Sequence, residues 1–322
     1  MTRYSKILGT GGYLPEEIRT NDDISKTVDT SDSWIYERTG IKSRRIAGAT
    51  ESASSMAEIA AREAISNAQI SPEEINLIIV ATGTPDRVYP STACLLQHRL
   101  EIKHCIAFDV QAACSGAIFA LSIADQYIKT GAVKHVLIVG SEICSRIVDW
   151  ADRGTCILFG DGAGALLLGS SDDAGVLSTH ICSDGSYEDM LYCPNPQVAT
   201  EANKLEAGTI SMRGNEVFKV AVNTLERIVD ETLEANNMQQ SDVDWLVPHQ
   251  ANIRIIAATA KKLKMPMEQV IVTVEEQGNT SSASVLLALH EGITDGRIKR
   301  GQVVLLEAFG AGFTWGSALI KY

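Results

Sequence analysis

The chain repeats itself. NLIIVATGT, from Asn76, matches DWLVPHQAN, from Asp244; CIAFDVQAACSGAIFAL, from Cys105, matches VIVTVEEQGNTSSASVLLAL, from Val270; and HVLIVGSE, from His135, matches QVVLLEAFG, from Gln302. Each block joins an apolar run of strand length to a polar turn or a helix of small residues, which is the pattern of a layered α/β unit. Three such blocks recurring in one order require two similar halves. The polar, turn-forming segment SSDDAG at Ser170–Gly175 marks the join, giving a first half over 1–172 and a second over 173–322.

Within the first half, periodicity predicts a helix over Ser54–Gln69, strands at Asn76–Ala81 and Cys105–Val110, a helix from Cys114 and a strand at His135–Gly140. The second half predicts a helix over Asn215–Asn236, a strand at Asp244–Pro248, a helix from about Asn252, and a strand at Val270–Val274. A Gly-Asn-Thr-Ser turn, a helix and a strand at Gln302–Glu307 follow. Open α/β sheets bind ligands on the loops at the carboxyl ends of their strands. Cys114, His249 and Asn279 all fall on such loops.

Composition narrows the function classes. With 322 residues, 45% of them hydrophobic, and a mean hydropathy of +0.03, the chain can bury a large core. A net charge of −12 gives no general attraction to phosphate backbones or anionic lipid, so neither nucleic acid nor membrane is an expected partner. Seven cysteines, an odd number without CxxC pairing, point to reduced thiols in a cytoplasmic protein. The start MTRYSKILGTGGYLPEE has no apolar leader core, and no later run is long enough to span a bilayer.

Cys114 lies in DVQAACSGAIFAL, where a strand ends and a helix begins. A helix N-terminus favours thiolate and lowers a thiol's pKa, which makes a nucleophile, although free cysteine is also a common core residue. His249 follows the strand WLVP, where an imidazole can do acid–base or hydrogen-bond work or serve as a satisfied structural histidine. Asn279, in QGNTSSAS, can cap a helix or donate to a developing oxyanion. The remaining histidines form no metal-ligand set. FGDGAGALLLG has glycine spacing but continues into a strand rather than a helix, against a dinucleotide-binding loop.

Together these segments resemble the β-ketoacyl-acyl-carrier-protein synthase III family. The likeness runs through ILGTGGYLPE, TSDSWIYERTGI, AACSG, DRGTCILFGDGAGA, GNEVFKVAV, DWLVPHQANIRII, GNTSSAS and FGAGFTWGSALI, nearly the whole chain. The resemblance implies a thiolase-like fold, two duplicated halves in five α-β-α-β-α layers, and a homodimer. It implies an acyltransferase that joins an acyl-CoA primer to malonyl-acyl-carrier protein, with coenzyme A thioester as substrate and no other cofactor or metal. Cys114 then accepts the acyl group, His249 and Asn279 support decarboxylation, and the N–H groups of Cys114 and Ala311 form an oxyanion hole. Thr30, Trp34, Arg38, Arg153, Gly214 and Asn252 match CoA-binding positions. Lys219, the stretch Gln250, Ala251, Asn252, Ile253 and Arg254, and Lys261 and Lys262 match the carrier-protein surface.

Three departures from the family pattern bear on the primer. Ala311 stands in Gly310-Ala311-Gly312 where the family has three glycines, Tyr89 replaces the usual aromatic at the primer-pocket gate, and Ala117 replaces a bulkier residue. Elongating synthases pair the cysteine with two histidines and thiolases add a second cysteine; Asn279 separates this chain from both. A relative using longer primers for a specialised lipid or secondary metabolite is the competing expectation.

Overall fold

The computed structural model describes residues 3–195 and 208–322. β4 (Leu77–Ala81) is buried along its whole length, which is what an apolar run without alternation predicts for a central parallel strand. It lies in a five-stranded sheet of order β1 (Tyr4–Tyr13), β7 (Asp161–Ser171), β6 (His135–Ile143), β4, β5 (Ile106–Val110). The second sheet has the order β11 (Trp245–Pro248), β12 (Val303–Gly310), β13 (Thr314–Lys321), β8 (Val176–Ser183).

The repeat in sequence is a repeat in pairing. β4 runs parallel to β6 with Leu77 opposite Val136, and β11 runs parallel to β12 with Trp245 opposite Val304. In each sheet two antiparallel strands follow, β7 and β1 in the first, β13 and β8 in the second.

Side-chain alternation builds five layers on these sheets. Ile78 and Val80 face outward onto α3 (Ala53–Ala68) and α4 (Thr92–Arg99). Leu77, Ile79 and Ala81 face inward onto α5 (Gly116–Lys129) and α10 (Ser284–Thr294), which also meet Val247, Val304 and Leu306 of the second sheet. Leu246, Leu305 and Leu319 face α7 (Gly214–Ala235) and α8 (Ile253–Lys262) on the far side. The chain therefore has the thiolase-like α-β-α-β-α arrangement.

One predicted strand is absent. Val270–Val274 makes a single bridge to β11, at Leu246, and then enters the short helix α9 (Val274–Gln277). The fully buried Gln250 side chain explains the difference: its Oε1 accepts from the Thr273 and Val274 N–H groups, and its Nε2 donates to the Pro248 and Ile271 carbonyls. A side-chain amide takes the bonds that a strand partner takes at β5 in the first half.

Small elements cover the ends of the sheets. They are the ribbon β2 (Glu17–Thr20) with β3 (Ser43–Ile46), α1 (Asn21–Ser25), α2 (Asp32–Thr39), α6 (Arg153–Cys156) and the ribbon β9 (Leu191–Tyr192) with β10 (Ser211–Met212). Arg44 of β3, fully buried, ties this cover down through the Arg19 carbonyl, Asn21 Oδ1 and the Ile157 carbonyl.

Candidate active site

The duplicated halves each contribute the same unusual turn. After β5 the chain enters Ala113 with φ +45°, forms a 3-10 turn at Ala113–Ser115 and opens α5; after α9 it enters Ser281 with φ +50°, forms a 3-10 turn at Ser281–Ala283 and opens α10. Non-glycine residues at positive φ are strained, and such strain persists where surrounding packing enforces it. Here the two turns meet at the centre of the molecule. A Cβ added to Gly140 of β6 would lie 2.4 Å from the Ser282 carbonyl oxygen, and one on Gly310 would lie 2.7 Å from the Cys114 nitrogen. Both positions require glycine for the turns to seat.

Cys114 is buried at the middle of its turn. Burial pushes its thiol up to about 12; a Ser281 hydroxyl bond acts downward and the Glu142 charge adds upward. The expectation that the helix N-terminus lowers this pKa is thereby corrected, because loss of water outweighs the aligned N–H groups. Cys114 rests as a thiol. Ser115 Oγ donates to the Thr314 carbonyl at 2.9 Å, and Thr314 Oγ1 to the Ala112 carbonyl at 2.9 Å, clamping the Ala311–Thr314 segment to the turn.

His249 leaves the end of β11 with its N–H bonded to the Glu307 carbonyl at 2.8 Å. Its Nδ1 lies 2.5 Å from Ser284 Oγ, while its buried Nε2 has no hydrogen-bond partner among the described residues. Burial lowers its pKa to about 3, so the ring is neutral. Asn279 is held on its main chain, its N–H donating to the Leu158 carbonyl at 2.8 Å and its carbonyl accepting from Gly160 N–H at 3.0 Å. Its Oδ1 accepts from Ser281 N–H at 2.8 Å, which fixes the amide with Nδ2 as its donor end. Cys114, His249 and Asn279 line one cavity of about 360 Å³, together with Phe159, Phe309 and Leu225. The cavity thus brings together a thiol, a neutral imidazole and a carboxamide.

Residues 233–322 match the family model described as 3-oxoacyl-[acyl-carrier-protein (ACP)] synthase III C terminal, and residues 108–185 match that of 3-oxoacyl-[acyl-carrier-protein (ACP)] synthase III. The chain is 67% identical over 322 residues to the β-ketoacyl-[acyl-carrier-protein] synthase III of Methylococcus capsulatus, covering 100% of both. It is 59% identical to that of Thioalkalivibrio sulfidiphilus over 321 residues, 99% of each. The crystal structure of the 3-oxoacyl-[acyl-carrier-protein] synthase III from Aquifex aeolicus VF5 superposes with a TM-score of 0.94 at 50% identity, covering 99% of this chain and 100% of that one. The chain belongs to the β-ketoacyl-acyl-carrier-protein synthase III family.

Other expected synthase III positions fall around the same cavity or away from it. Arg38, Gly214, Ala251, Asn252 and Arg254 line it. Asn252 caps α8 through Arg254 N–H at 2.8 Å and donates to the Arg38 carbonyl at 3.0 Å, joining α8 to α2. Two guanidinium groups pack on the Trp34 ring, Arg38 at 4.2 Å and Arg153 at 4.7 Å from its centroid, the second held by the Asp29 carbonyl. Thr30 Oγ1, nearby in sequence, is buried with no hydrogen-bond partner among the described residues. Neither Thr30, Trp34 nor Arg153 lines the cavity itself.

Four expected synthase III contact positions, Gln250, Ile253, Tyr89 and Ala117, lie outside the cavity lining. Gln250 is 1% exposed and presents no surface to a carrier protein, since its amide holds the Val270–Val274 segment. Ile253 is partly buried, packed in the α7/α8 core and against Gly40 at the end of α2. Tyr89 is 83% exposed and Ala117 is buried in the central helical layer; neither lines the cavity of this chain. Lys219 and Lys261 are exposed, whereas Lys262 pairs with Asp230 at 2.8 Å. Ala311, half-buried, follows Gly310 directly, so the departure from three glycines occurs where a Cβ is tolerated.

Sequence reasoning missed Ser281, Ser284 and Glu142. Glu142 is fully buried on β6, and its Oε1 accepts from Ser281 Oγ at 3.1 Å and Ser282 Oγ at 2.9 Å, its Oε2 from Gly83 N–H at 3.0 Å and Thr84 Oγ1 at 2.8 Å. The only sequence signal was the run of serines after Asn279. Among the described residues no group of three His, Cys, Asp or Glu could hold a metal ion, and no helix is long and apolar enough to cross a membrane.

Proposed function

We propose that the chain catalyses the initiating condensation of fatty-acid synthesis, joining an acyl-CoA primer, acetyl-CoA foremost, to malonyl-acyl-carrier protein and releasing a 3-oxoacyl-acyl-carrier protein. The observation that carries this reading is the single cavity lined by Cys114, His249 and Asn279, with His249 neutral and its Nε2 unpartnered. Cys114 Sγ attacks the primer thioester carbon; the bond to the CoA sulfur breaks, and the thiol hydrogen ends on coenzyme A. The malonyl group then loses CO₂, and the electron pair moves onto its thioester oxygen as an enolate. Neutral donors at His249 Nε2 and Asn279 Nδ2 stabilise that oxygen without stabilising the ground state as strongly. The enolate carbon attacks the acyl carbon on Cys114, the carbon–sulfur bond breaks, and the thiol is restored by a proton. The backbone N–H groups of Cys114 and Ala311 serve the oxyanion of this step. Coenzyme A enters as part of the substrate, and the sequence of bond changes calls for no further cofactor.

In the same reading Trp34 and Arg153 hold the adenine and Thr30 and Arg38 the nearby nucleotide, while Gly214 and Asn252 follow the pantetheine. Lys219, Ala251, Arg254 and Lys261 receive the carrier protein. Residues 1–172 supply the acyl acceptor and residues 173–322 the two donors. We place a homodimer contact along β5, an edge strand carrying the exposed Ile106, with the exposed Val88 and Tyr89 on the loop between β4 and α4. Tyr89 then reaches a primer pocket only in the dimer. A cytoplasmic location fits the free thiols.

Separate assays of the half-reactions test the assignment. His249→Ala and Asn279→Ala are each expected to cut malonyl-thioester decarboxylation by about 10²–10³-fold, the loss typical of one oxyanion donor, while acylation of Cys114 falls far less. Parental CO₂ release in both variants would refute these roles.

A further inference from the structure

We infer that Ser284 is a positioning residue that fixes the His249 ring in the tautomer carrying its hydrogen on Nε2. The inference rests on the role of His249 proposed above and deepens it. Ser284 is the first residue of α10 and is fully buried. Its hydroxyl makes no cap on its own helix and instead points across to the end of β11. There its Oγ meets two nitrogens, Gln250 N at 3.3 Å and His249 Nδ1 at 2.5 Å.

Hydrogen counting decides the tautomer. A backbone amide can only donate, so Ser284 Oγ accepts from Gln250 N–H and keeps one hydrogen of its own. Among the described residues, Nδ1 is the only other polar atom bonded to that hydroxyl. Donation to Nδ1 requires a bare lone pair there, and a neutral imidazole must then carry its hydrogen on Nε2. The opposite tautomer would give Oγ two incoming N–H groups and leave its own hydrogen unpaired in the core. It would also aim the Nε2 lone pair at an oxygen that becomes negative. In the favoured tautomer the ring presents an N–H where charge develops. Asn279 is set in the same way by an acceptor bond from Ser281 N–H, so successive turns of one segment orient both donors.

The tautomer is read directly from long-range ¹H–¹⁵N spectra of the ¹⁵N-histidine-labelled enzyme. The His249 signals are expected to show a pyrrole-type Nε2 and a pyridine-type Nδ1, unchanged from pH 5 to 8, and to drift toward averaged values in Ser284→Ala. In kinetics, Ser284→Ala is expected to lower kcat for malonyl-thioester decarboxylation by about 10–100-fold with little change in KM, because the donor is mis-set rather than removed. Ser284→Thr, which keeps the hydroxyl, is expected to recover most of that loss; acylation of Cys114 and far-UV circular dichroism report whether each variant is folded. A pyridine-type Nε2 in the parent enzyme overturns the inference, even if no Ser284 variant folds. So does a folded Ser284→Ala enzyme that decarboxylates at the parental rate while His249→Ala does not. Parental decarboxylation in His249→Ala would instead remove the proposed role of His249, and the nitrogen shifts would still decide the tautomer.

Discussion

His249 and Glu307 share a backbone hydrogen bond, and burial drives both to neutrality from opposite sides: the imidazole is lowered to about 3 and the carboxyl raised to about 8. Glu307 is the more exposed to test. Among the described residues neither of its buried oxygens has a hydrogen bond of normal geometry, and the nearby Thr259 hydroxyl offsets the upward shift only in part. A carboxyl whose folded pKa lies above its unfolded value contributes stability that is complete below the unfolded pKa, near 4.5, and is lost as pH rises through about 8. Glu307→Gln removes that loss, so the Tm of the variant relative to the parent is expected to be higher at pH 9 than at pH 6. An identical Tm difference at both pH values would place Glu307 in contact with water or a cation. For His249 the sense is reversed. The unfolded chain takes up the proton first between about 3 and 6.5, so this group destabilises the fold as pH drops below about 6.5 and has no effect above. Cys114, His249 and Asn279 were legible as candidates because each lies inside one of the repeated blocks. Their supports Ser284, Ser281 and Glu142 were not, because a serine or glutamate gives no sign of its partner until the two halves are packed.

Among the elements, the asymmetry between the two sheets is the least legible feature and has the clearest consequence. Val270–Val274 has the β-branched composition of a strand, and its sequence counterpart is the true strand β5. Composition reports a preference for extended backbone, not the presence of a neighbour. Gln250 supplies the missing bonds with one amide, and its position after His249 makes it look like part of an exposed recognition stretch. Gln250→Ala strands two N–H groups and two carbonyls, which at roughly 1 kcal/mol apiece is expected to cost about 3–5 kcal/mol. Urea unfolding should show the midpoint shift, and Gln250→Glu, which retains an acceptor for the Thr273 and Val274 N–H groups, should lose less. Parental stability in Gln250→Ala would mean that this segment is held by other contacts. The strands expected at Asn76–Ala81, Cys105–Val110, His135–Gly140, Asp244–Pro248 and Gln302–Glu307 and the expected long helices fall within a few residues of the observed ones, because their apolar runs are the buried ones, whereas β1, β8 and the short ribbons were not expected.

At the scale of the whole molecule, a chain of net charge −12 must attract an acidic carrier against its own field. Arg254, exposed beside the cavity, and Lys261, one face along α8, supply local positive charge, whereas Lys262 is already paired with Asp230. Charge reversal at Arg254 and Lys261 is expected to raise KM for malonyl-carrier protein several-fold and to flatten its dependence on salt, with acylation by acyl-CoA little changed. Equal losses in both half-reactions would move the docking surface elsewhere. The central claim is more basic, that one buried thiol carries the acyl chain between the two halves of the reaction. Intact-mass analysis of the enzyme mixed with acetyl-CoA, followed by peptide mapping, tests it most directly. The expected result is one acetyl increment per chain on the peptide bearing Cys114, absent in Cys114→Ala and discharged when malonyl-carrier protein is added. An increment on another residue, or full acylation of Cys114→Ala, would contradict the account.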